Sequence, residues 1–190
     1  MRQKRIVTIQ DLSCLGKCSL GVALPVISAL GIETVVLPTA ILSTHTGEFK
    51  DYTFCDLTEE MPKISRHWQK LALEFDAIYV GYLGSIRQME IVEKFIDTFK
   101  GENTTVFIDP VMADNGVLYD GFTKEFVNEM LRLIKRADVI CPNVTEACFL
   151  SGTEYKKDSY DESYIQEILE KLSKICKKTL DFDLGLWFII

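Results

Sequence analysis

Acidic and turn-forming residues follow the apolar run TTVFI, in the stretch DPVMADNG at residues 109 to 116. Asp109 directly precedes a proline, and Asp114 lies within the same small, turn-prone segment. An acid at the end of a buried strand is a poor structural choice unless a cation or hydrogen-bond donors meet it. Asp109 alone has a simpler explanation, because aspartate accepts backbone N–H bonds at turns.

Polar groups with similar chemistry follow other apolar runs, namely Gln10 and Asp11 after RIVTI, Tyr82 in GYLGS after DAIYV, and Asn143 and Glu146 after DVIC. The last two residues are three apart, which is also the spacing of an N-cap residue and its partner in a capping box. The GYLGS glycines could serve only a tight turn. Each signal therefore has a structural as well as a functional interpretation.

Strand and helix patterns alternate along the chain, which favours parallel strands that are buried on both faces. Strand patterns occur in RIVTIQ, ETVVLPT, DAIYV, NTTVFID and DVICPN, and helix patterns in SLGVALPVISALG, DLTEEMPKI to about Glu74, IRQMEIVEKFIDTFKG, TKEFVNEMLRLIKRA and ESYIQEILEKLSKICKK. We therefore predict an α/β fold, a three-layer sandwich with a mainly parallel central sheet. Ligands of such sheets bind at the carboxyl ends of the strands, so the polar strand ends should share one edge.

The composition of the chain argues against some classes of binding partner and cellular location. The 190 residues, of which 47% are hydrophobic, are enough for one domain with a sizeable core. A net charge of −7 argues against a nucleic acid or an anionic membrane surface as the main partner. No stretch reaches the roughly 18 apolar residues that a membrane span needs. Six cysteines without an export signal are expected to be free thiols, so we expect a cytoplasmic protein.

The order of TIQD, STHTG, GYLGS, DPVM with Asp114, and PNVTE resembles the pyridoxal kinase branch of the ribokinase-like superfamily, from Ile6 to about Leu172. The resemblance implies ATP-dependent phosphorylation of the ring hydroxymethyl group of pyridoxal, pyridoxine or pyridoxamine. The related hydroxymethylpyrimidine kinase of thiamine synthesis shares the fold and several motifs, so it stays an alternative. The STHTG and GYLGS pair favours pyridoxal.

The resemblance also implies residues that contact the pyridine ring of such a vitamer. These are Asp11, His45, Thr46, Gly47 and Tyr82. Much of the branch has serine directly after IQ, where this chain has Asp11. We therefore expect Asp11 to meet the ring hydroxyl or the ring nitrogen differently.

For the nucleotide, the resemblance implies a second set of residues: Asp109, Asp114, Tyr119, Asn143 and Glu146. Among them Asp109 and Glu146 are the expected magnesium residues, with Glu146 acting through the ion and its waters. Phosphoryl transfer needs charge neutralisation and in-line positioning more than covalent help. Mg²⁺ keeps several waters and takes only one or two carboxylates, which suits a sparse acidic set. ATP and Mg²⁺ are thus the expected cofactors, and a homodimer is an expected assembly because relatives are commonly dimeric.

The late glycine-rich GTGD-type segment of these kinases has no counterpart in the sequence. In relatives its amides form an anion hole and its aspartate is the base. We interpret residues 1–178 as the N-terminal part of a single ribokinase-like kinase domain and residues 179–190, TLDFDLGLWFII, as a tail outside the family pattern. A truncated or frame-shifted product of this kind should be a poor kinase, and no catalytic residue is assigned. The alternative is a non-catalytic remnant that binds a vitamer or a partner.

Overall fold

The computed structural model describes residues 2–46, 49–157 and 160–176. The chain divides into two compact units, Met1–Val106 and Phe107–Ile190. The division falls inside one strand, β5 (Thr105–Ile108).

The first unit alternates strands with helices: β1 (Arg5–Ser13), α1 (Leu20–Ala29), β2 (Glu33–Leu42), β3 (Phe54–Asp56), α2 (Met61–Lys70), β4 (Ala77–Val80) and α3 (Ile86–Phe99). Its strand order is β3-β2-β1-β4. β1 is parallel to both β2 and β4, whereas β3 pairs with β2 in the antiparallel direction. The sequence did not predict β3, because its three residues lie in a polar, turn-rich stretch without an apolar run.

Parallel pairing brings the polar ends of β1 and β4 to the same edge of this unit. Ile9 lies opposite Val80, and the Gly81 N–H donates to the Ile9 carbonyl over 2.9 Å. Asp11, near the carboxyl end of β1, and Tyr82, just after β4, therefore lie at the ends of neighbouring strands. Within this unit, the predicted gathering of polar strand ends is confirmed.

Three helices pack in the first unit. Helix α1 packs on β1 and β2, and α2 packs against β2 and α3. Trp68, Phe75, Phe95 and Phe99 form an aromatic cluster, in which the Phe95 and Phe99 ring centroids lie 4.5 Å apart. Aromatic pairs at such separations add stabilisation beyond the area that they bury.

Gln88 joins three segments of the first unit from the start of α3. Its side chain is buried, and its Nε2 donates to the Thr39 carbonyl and to Thr58 Oγ1, both over 2.9 Å. Its Oε1 accepts the N–H of Gly84 over 2.8 Å. Thr39 in turn donates its hydroxyl to the Tyr82 carbonyl over 3.1 Å. This network fixes the turn that carries Tyr82 against β2.

The second unit contains the rest of β5 and six further elements: β6 (Ala113–Asp114), β7 (Val117–Leu118), α4 (Lys124–Ile134), β8 (Val139–Ile140), α5 (Val144–Ser151) and α6 (Glu162–Ser173). β5 and β8 are parallel, with Ile108 opposite Ile140. Helix α5 packs against α4, α6 and β6. Asp109 and Asn143 therefore follow parallel strands at one edge of this unit, as the sequence predicts.

A two-residue hairpin loop joins β6 to β7. Asn115 and Gly116 both have positive φ angles, 50° and 81°. An Asn-Gly pair is the preferred sequence for such a tight loop because both residues tolerate this conformation. The hairpin is too short for a strand pattern to reveal it.

All six cysteines are free thiols. No helix in the described part of the chain combines the length and the apolarity that a bilayer crossing would require.

Gln88→Met is expected to lower the free energy of unfolding by about 1 to 3 kcal/mol, because the partly buried Gly84 N–H would lose its acceptor and the Thr39 carbonyl would keep only the Leu57 N–H as a donor. Gln69→Met, at an exposed position of α2, is the matched control and should change it by less than about 0.5 kcal/mol. Denaturant titration measures both values. Equal stability of the two variants would contradict this role of Gln88.

Candidate functional site

The loop after β1 lies alongside the STHTG segment in the first unit. The N–H groups of Cys14 and Leu15 donate to the carbonyls of Leu42 and Ser43, and the His45 N–H donates back to the Leu15 carbonyl over 3.2 Å. The two loops that the resemblance assigns to the ring pocket are therefore joined by backbone hydrogen bonds.

His45 packs inside this pair of loops. Its ring lies 5.0 Å from the Phe49 ring in an edge-to-face arrangement. Gly16 faces the same imidazole so closely that a Cβ atom there would lie 2.4 Å from His45 Cδ2, and its φ of +115° also favours glycine. Thr46 is exposed beside it, and Gly47 lies outside the described residues.

Asp11 and Tyr82 are the polar side chains at the strand ends of the first unit. Asp11 is only 5% exposed and accepts a hydrogen bond from the Ser13 hydroxyl over 3.2 Å. Burial, followed by the negative charge of Asp11, raises the pKa of Tyr82 to about 12. Tyr82 therefore stays protonated at neutral pH and presents a hydroxyl that can donate.

Glu146 is the buried acid of the second unit, with 2% exposure. Its Oε1 accepts the Met112 N–H over 3.1 Å and its Oε2 accepts the Asn143 N–H over 2.9 Å. The Ala113 N–H also bonds to this carboxyl. Burial and then the charge of Asp109 raise the pKa of Glu146 to about 8, against the opposite effect of these backbone donors.

Asn143 and Glu146 form a complete capping box at the start of α5. Asn143 Oδ1 accepts the Glu146 N–H over 2.9 Å, and Asn143 Nδ2 donates to the Ala113 carbonyl over 2.8 Å. The structural interpretation of this pair is thus confirmed. The same bonds place the Glu146 carboxyl beside the turn that follows Asp109.

The β6–β7 hairpin carries Asp114 at its exposed end, where the carboxylate accepts both the backbone N–H and the side-chain amide of Asn115. The Gly116 N–H donates to Thr145 Oγ1 over 3.0 Å. A Cβ atom on Gly116 would lie 2.6 Å from the Tyr155 ring. The hairpin is therefore held against the first turn of α5 and against the loop that follows this helix.

The charges of three acids, Glu146, Asp114 and Asp109, act on Tyr119. Burial, followed by the charges of Glu146, Asp114 and Asp109, raises its pKa to about 12. No group of three or more acidic, histidine or cysteine side chains converges tightly enough to hold a metal ion within the described ranges. A cation here would rest on one or two carboxylates and water, which is the arrangement that Mg²⁺ accepts.

Sequence patterns missed several residues that position these groups, namely Gln88, Thr145, Tyr155 and the Met112 and Ala113 amides. Gln88 did carry a signal, because Ser85 and Gln88 have the spacing of a capping box, and Ser85 Oγ accepts the Gln88 N–H. The backbone amides carried none, since their role depends on where Glu146 lies in space.

Solved structures of relatives superpose on nearly the whole chain. A Bacteroides thetaiotaomicron protein described as a phosphomethylpyrimidine kinase is 47% identical, with a TM-score of 0.88 over 93% of this chain and 60% of its own. A second crystal form of that protein contains pyridoxal. Pyridoxal kinase from Lactobacillus plantarum is 35% identical, with a TM-score of 0.83 over 92% of this chain and 60% of its own. The predicted α/β class with a mainly parallel sheet is confirmed.

Sequence comparison gives the same grouping. Pyridoxal kinase from Dictyostelium discoideum is 28% identical over 165 residues, which cover 82% of this chain and 53% of that enzyme. The chain thus spans between half and two thirds of the length of these relatives. The family model described as phosphomethylpyrimidine kinase matches residues 23–180. The chain therefore belongs to the phosphomethylpyrimidine kinase family, among whose members it is similar to pyridoxal kinases.

Proposed function

We propose that this protein is a pyridoxal kinase, which transfers a phosphoryl group from ATP to the ring hydroxymethyl group of pyridoxal, pyridoxine or pyridoxamine. The observation that carries the proposal is the similarity to the Bacteroides thetaiotaomicron protein, one crystal form of which holds pyridoxal. The Lactobacillus plantarum relative favours pyridoxal over hydroxymethylpyrimidine as the substrate.

The vitamer ring is assigned to Asp11, His45, Thr46, Gly47 and Tyr82. Support comes from the bonded loops around Leu15 and His45 and from the buried carboxyl of Asp11. Tyr82, kept protonated by burial, offers a hydrogen-bond donor to the ring. A small, partly buried polar group of this kind suits orientation of an aromatic substrate.

The nucleotide phosphates are assigned to Asp109, Asp114, Tyr119, Asn143 and Glu146. The donor set fits Mg²⁺, because carboxylate oxygens are its usual protein ligands and the ion keeps most of its water. Asp109 and Glu146 would hold it. Bound Mg²⁺ would neutralise phosphate charge during transfer.

Glu146 is suited to an indirect role toward the ion. A carboxylate offers about four acceptor positions, and three backbone N–H groups already use the carboxyl of Glu146. The remaining capacity favours contact with a metal-bound water. Asp109 is then the direct ligand, and Tyr119, which stays protonated, supplies a neutral donor beside the phosphates.

The exposed surface and the thiols support a proposed assembly and a proposed cellular location. Helix α1, LGVALPVISA, has no charged residue, and Val22, Leu24, Val26 and the adjoining Leu30 are between 40% and 73% exposed. An apolar patch of this kind commonly marks a protein interface. The proposed assembly is a homodimer through α1, and the six free cysteines support a cytoplasmic location.

The primary test is ATP- and Mg²⁺-dependent formation of pyridoxal phosphate by the purified 190-residue chain, with pyridoxal binding measured on the same sample. Turnover above a blank without protein supports the kinase. Binding without turnover supports the alternative of a non-catalytic protein that binds a vitamer. A chain that neither binds pyridoxal nor turns it over would contradict the proposal.

Asp109→Asn is expected to weaken binding of ADP in the presence of Mg²⁺ by about 10- to 100-fold, because a charge-assisted contact is worth about 1.5 to 3 kcal/mol. Calorimetric titration with ADP at several Mg²⁺ concentrations measures the loss. Glu102→Gln, which removes an exposed carboxylate, should leave the affinity unchanged. An Asp109→Asn protein with unaltered magnesium dependence would refute the assignment.

Glu146 should make the metal-free protein less stable as the pH rises. Its pKa in the folded protein, about 8, lies above the ordinary value of 4.5, so folding favours the protonated form. The resulting stabilisation is complete below pH 4.5 and is lost as the pH rises to 8, with a slope of at most about 1.4 kcal/mol per pH unit. Unfolding titrations across this range should show a flatter profile for Glu146→Gln. The exposed Glu90→Gln should retain the wild-type slope, and equal slopes for all three proteins would contradict the expectation.

Val26→Glu should convert the proposed dimer into a monomer, because a charge would be buried in an apolar interface. Sedimentation velocity distinguishes the two states. Leu71→Glu, at a comparably exposed site after α2, should remain dimeric. A monomeric wild-type protein would rule out the homodimer.

A further inference from the structure

Asp11 has few partners for a carboxylate that is almost fully buried. It is 5% exposed, and its one hydrogen bond within the described residues comes from the Ser13 hydroxyl at 3.2 Å. In the same part of the chain, no lysine, arginine or histidine forms an ion pair with it. Burying a carboxylate is costly unless charged or hydrogen-bonding groups compensate. The ligand-free protein thus bears an uncompensated cost at this position.

The Asp11 carboxyl lies near the end of β1, opposite an irregularity of the neighbouring strand. The pairing of β1 with β2 shifts register between Gln10 and Leu12, so that Thr39 and Ala40 lie opposite the single Asp11. The extra residue belongs to β2, and irregularities of this type are common beside binding sites. The adjoining turn presents Tyr82, whose hydroxyl experiences the Asp11 charge.

A second polar atom without a partner occurs in the neighbouring loop. Thr44 Oγ1 is buried and makes no hydrogen bond. Thr44 lies between Ser43 and His45, both of which bond to Leu15 in the loop after β1. One under-satisfied polar group thus lies near the end of β1 and another in the loop bonded to the segment after β1, which indicates that a ligand completes their hydrogen bonding.

We propose that Asp11 recognises the substrate ring through an N–H group that the ring itself carries, either a protonated ring nitrogen or a ring amino group. This assignment rests on the proposed function and adds the ionic form of the substrate to it. A carboxylate only accepts hydrogen bonds, whereas a serine hydroxyl both donates and accepts. The ring atom that meets an ionised Asp11 must therefore be a donor, which disfavours a neutral ring nitrogen.

Three probes test the assignment by calorimetry on the 190-residue chain and on Asp11→Asn. They are pyridoxine, its benzene analogue in which C–H replaces the ring nitrogen, and an aminopyrimidine that carries a hydroxymethyl group. The wild-type chain should bind pyridoxine at least about 10-fold more tightly than the benzene analogue, because charge-assisted hydrogen bonds are the stronger kind. Asp11→Asn should abolish this preference and leave affinity for the analogue unchanged.

The aminopyrimidine distinguishes the two sources of the N–H group. If it binds the wild-type chain more tightly than pyridoxine and loses affinity in Asp11→Asn, the amino group is the donor. If only pyridoxine loses affinity, the donor is the protonated ring nitrogen. Either result supports the assignment.

A stability measurement separates recognition from a structural role. Asp11→Asn removes a buried charge that lacks a cationic partner, so the ligand-free variant should be at least as resistant to denaturant as the wild type. A clear loss of resistance would instead indicate that Asp11 holds the loop, and would overturn the assignment.

The outcomes also separate this assignment from the proposed function. Equal wild-type affinity for pyridoxine and its benzene analogue would overturn the role of Asp11 and leave the kinase proposal standing. Unchanged pyridoxine affinity in Asp11→Asn would also overturn the role of Asp11 without contradicting the kinase proposal. Failure of the wild-type chain to bind any of the three rings would reject the proposed function and this assignment together.

Discussion

The second unit depends on how one buried carboxyl is hydrogen-bonded. Glu146 accepts N–H groups from the turn after β5 and from the residue that caps α5. Without these donors, burial of the acid would oppose folding of the whole region, since a buried polar group that lacks partners costs more than a bond contributes. The acid therefore links a strand end to a helix start, and Asn143 reinforces the link by donating to Ala113.

Asp11, a buried acid of the first unit, has far fewer hydrogen-bond donors than Glu146. Asp11 has a single hydroxyl partner, whereas the side-chain amide of Gln88 has three partners. The Gln88 amide thus uses its hydrogen bonds to hold the fold. The Asp11 carboxyl retains unused acceptor capacity near a strand end. Proteins commonly keep such locally unfavourable groups where a ligand will meet them.

Sequence alone predicted most of the elements and the strand ends that matter, because apolar runs and their polar ends are local signals. Local signals also gave the capping box at Asn143, which three-residue spacing makes visible. They could not give β3 or the β6–β7 hairpin, whose strands are only two or three residues long. Nor could they reveal that Gln88 bonds to Thr39, 49 positions away, because such a contact exists only after β2 and α3 pack. The assigned roles of Thr46, Asp109 and Asp114 remain predictions.

The attachment of Gly116 bears on how the hairpin can move. Its N–H is bonded to Thr145 on α5, and its Cα faces the Tyr155 ring without room for a side chain. A hinge motion of the hairpin alone would break the bond and leave the ring uncovered. Asp114 should therefore move together with the first turn of α5. The distance between the exposed Asp114 and the buried Glu146 is then conserved while the folded protein fluctuates.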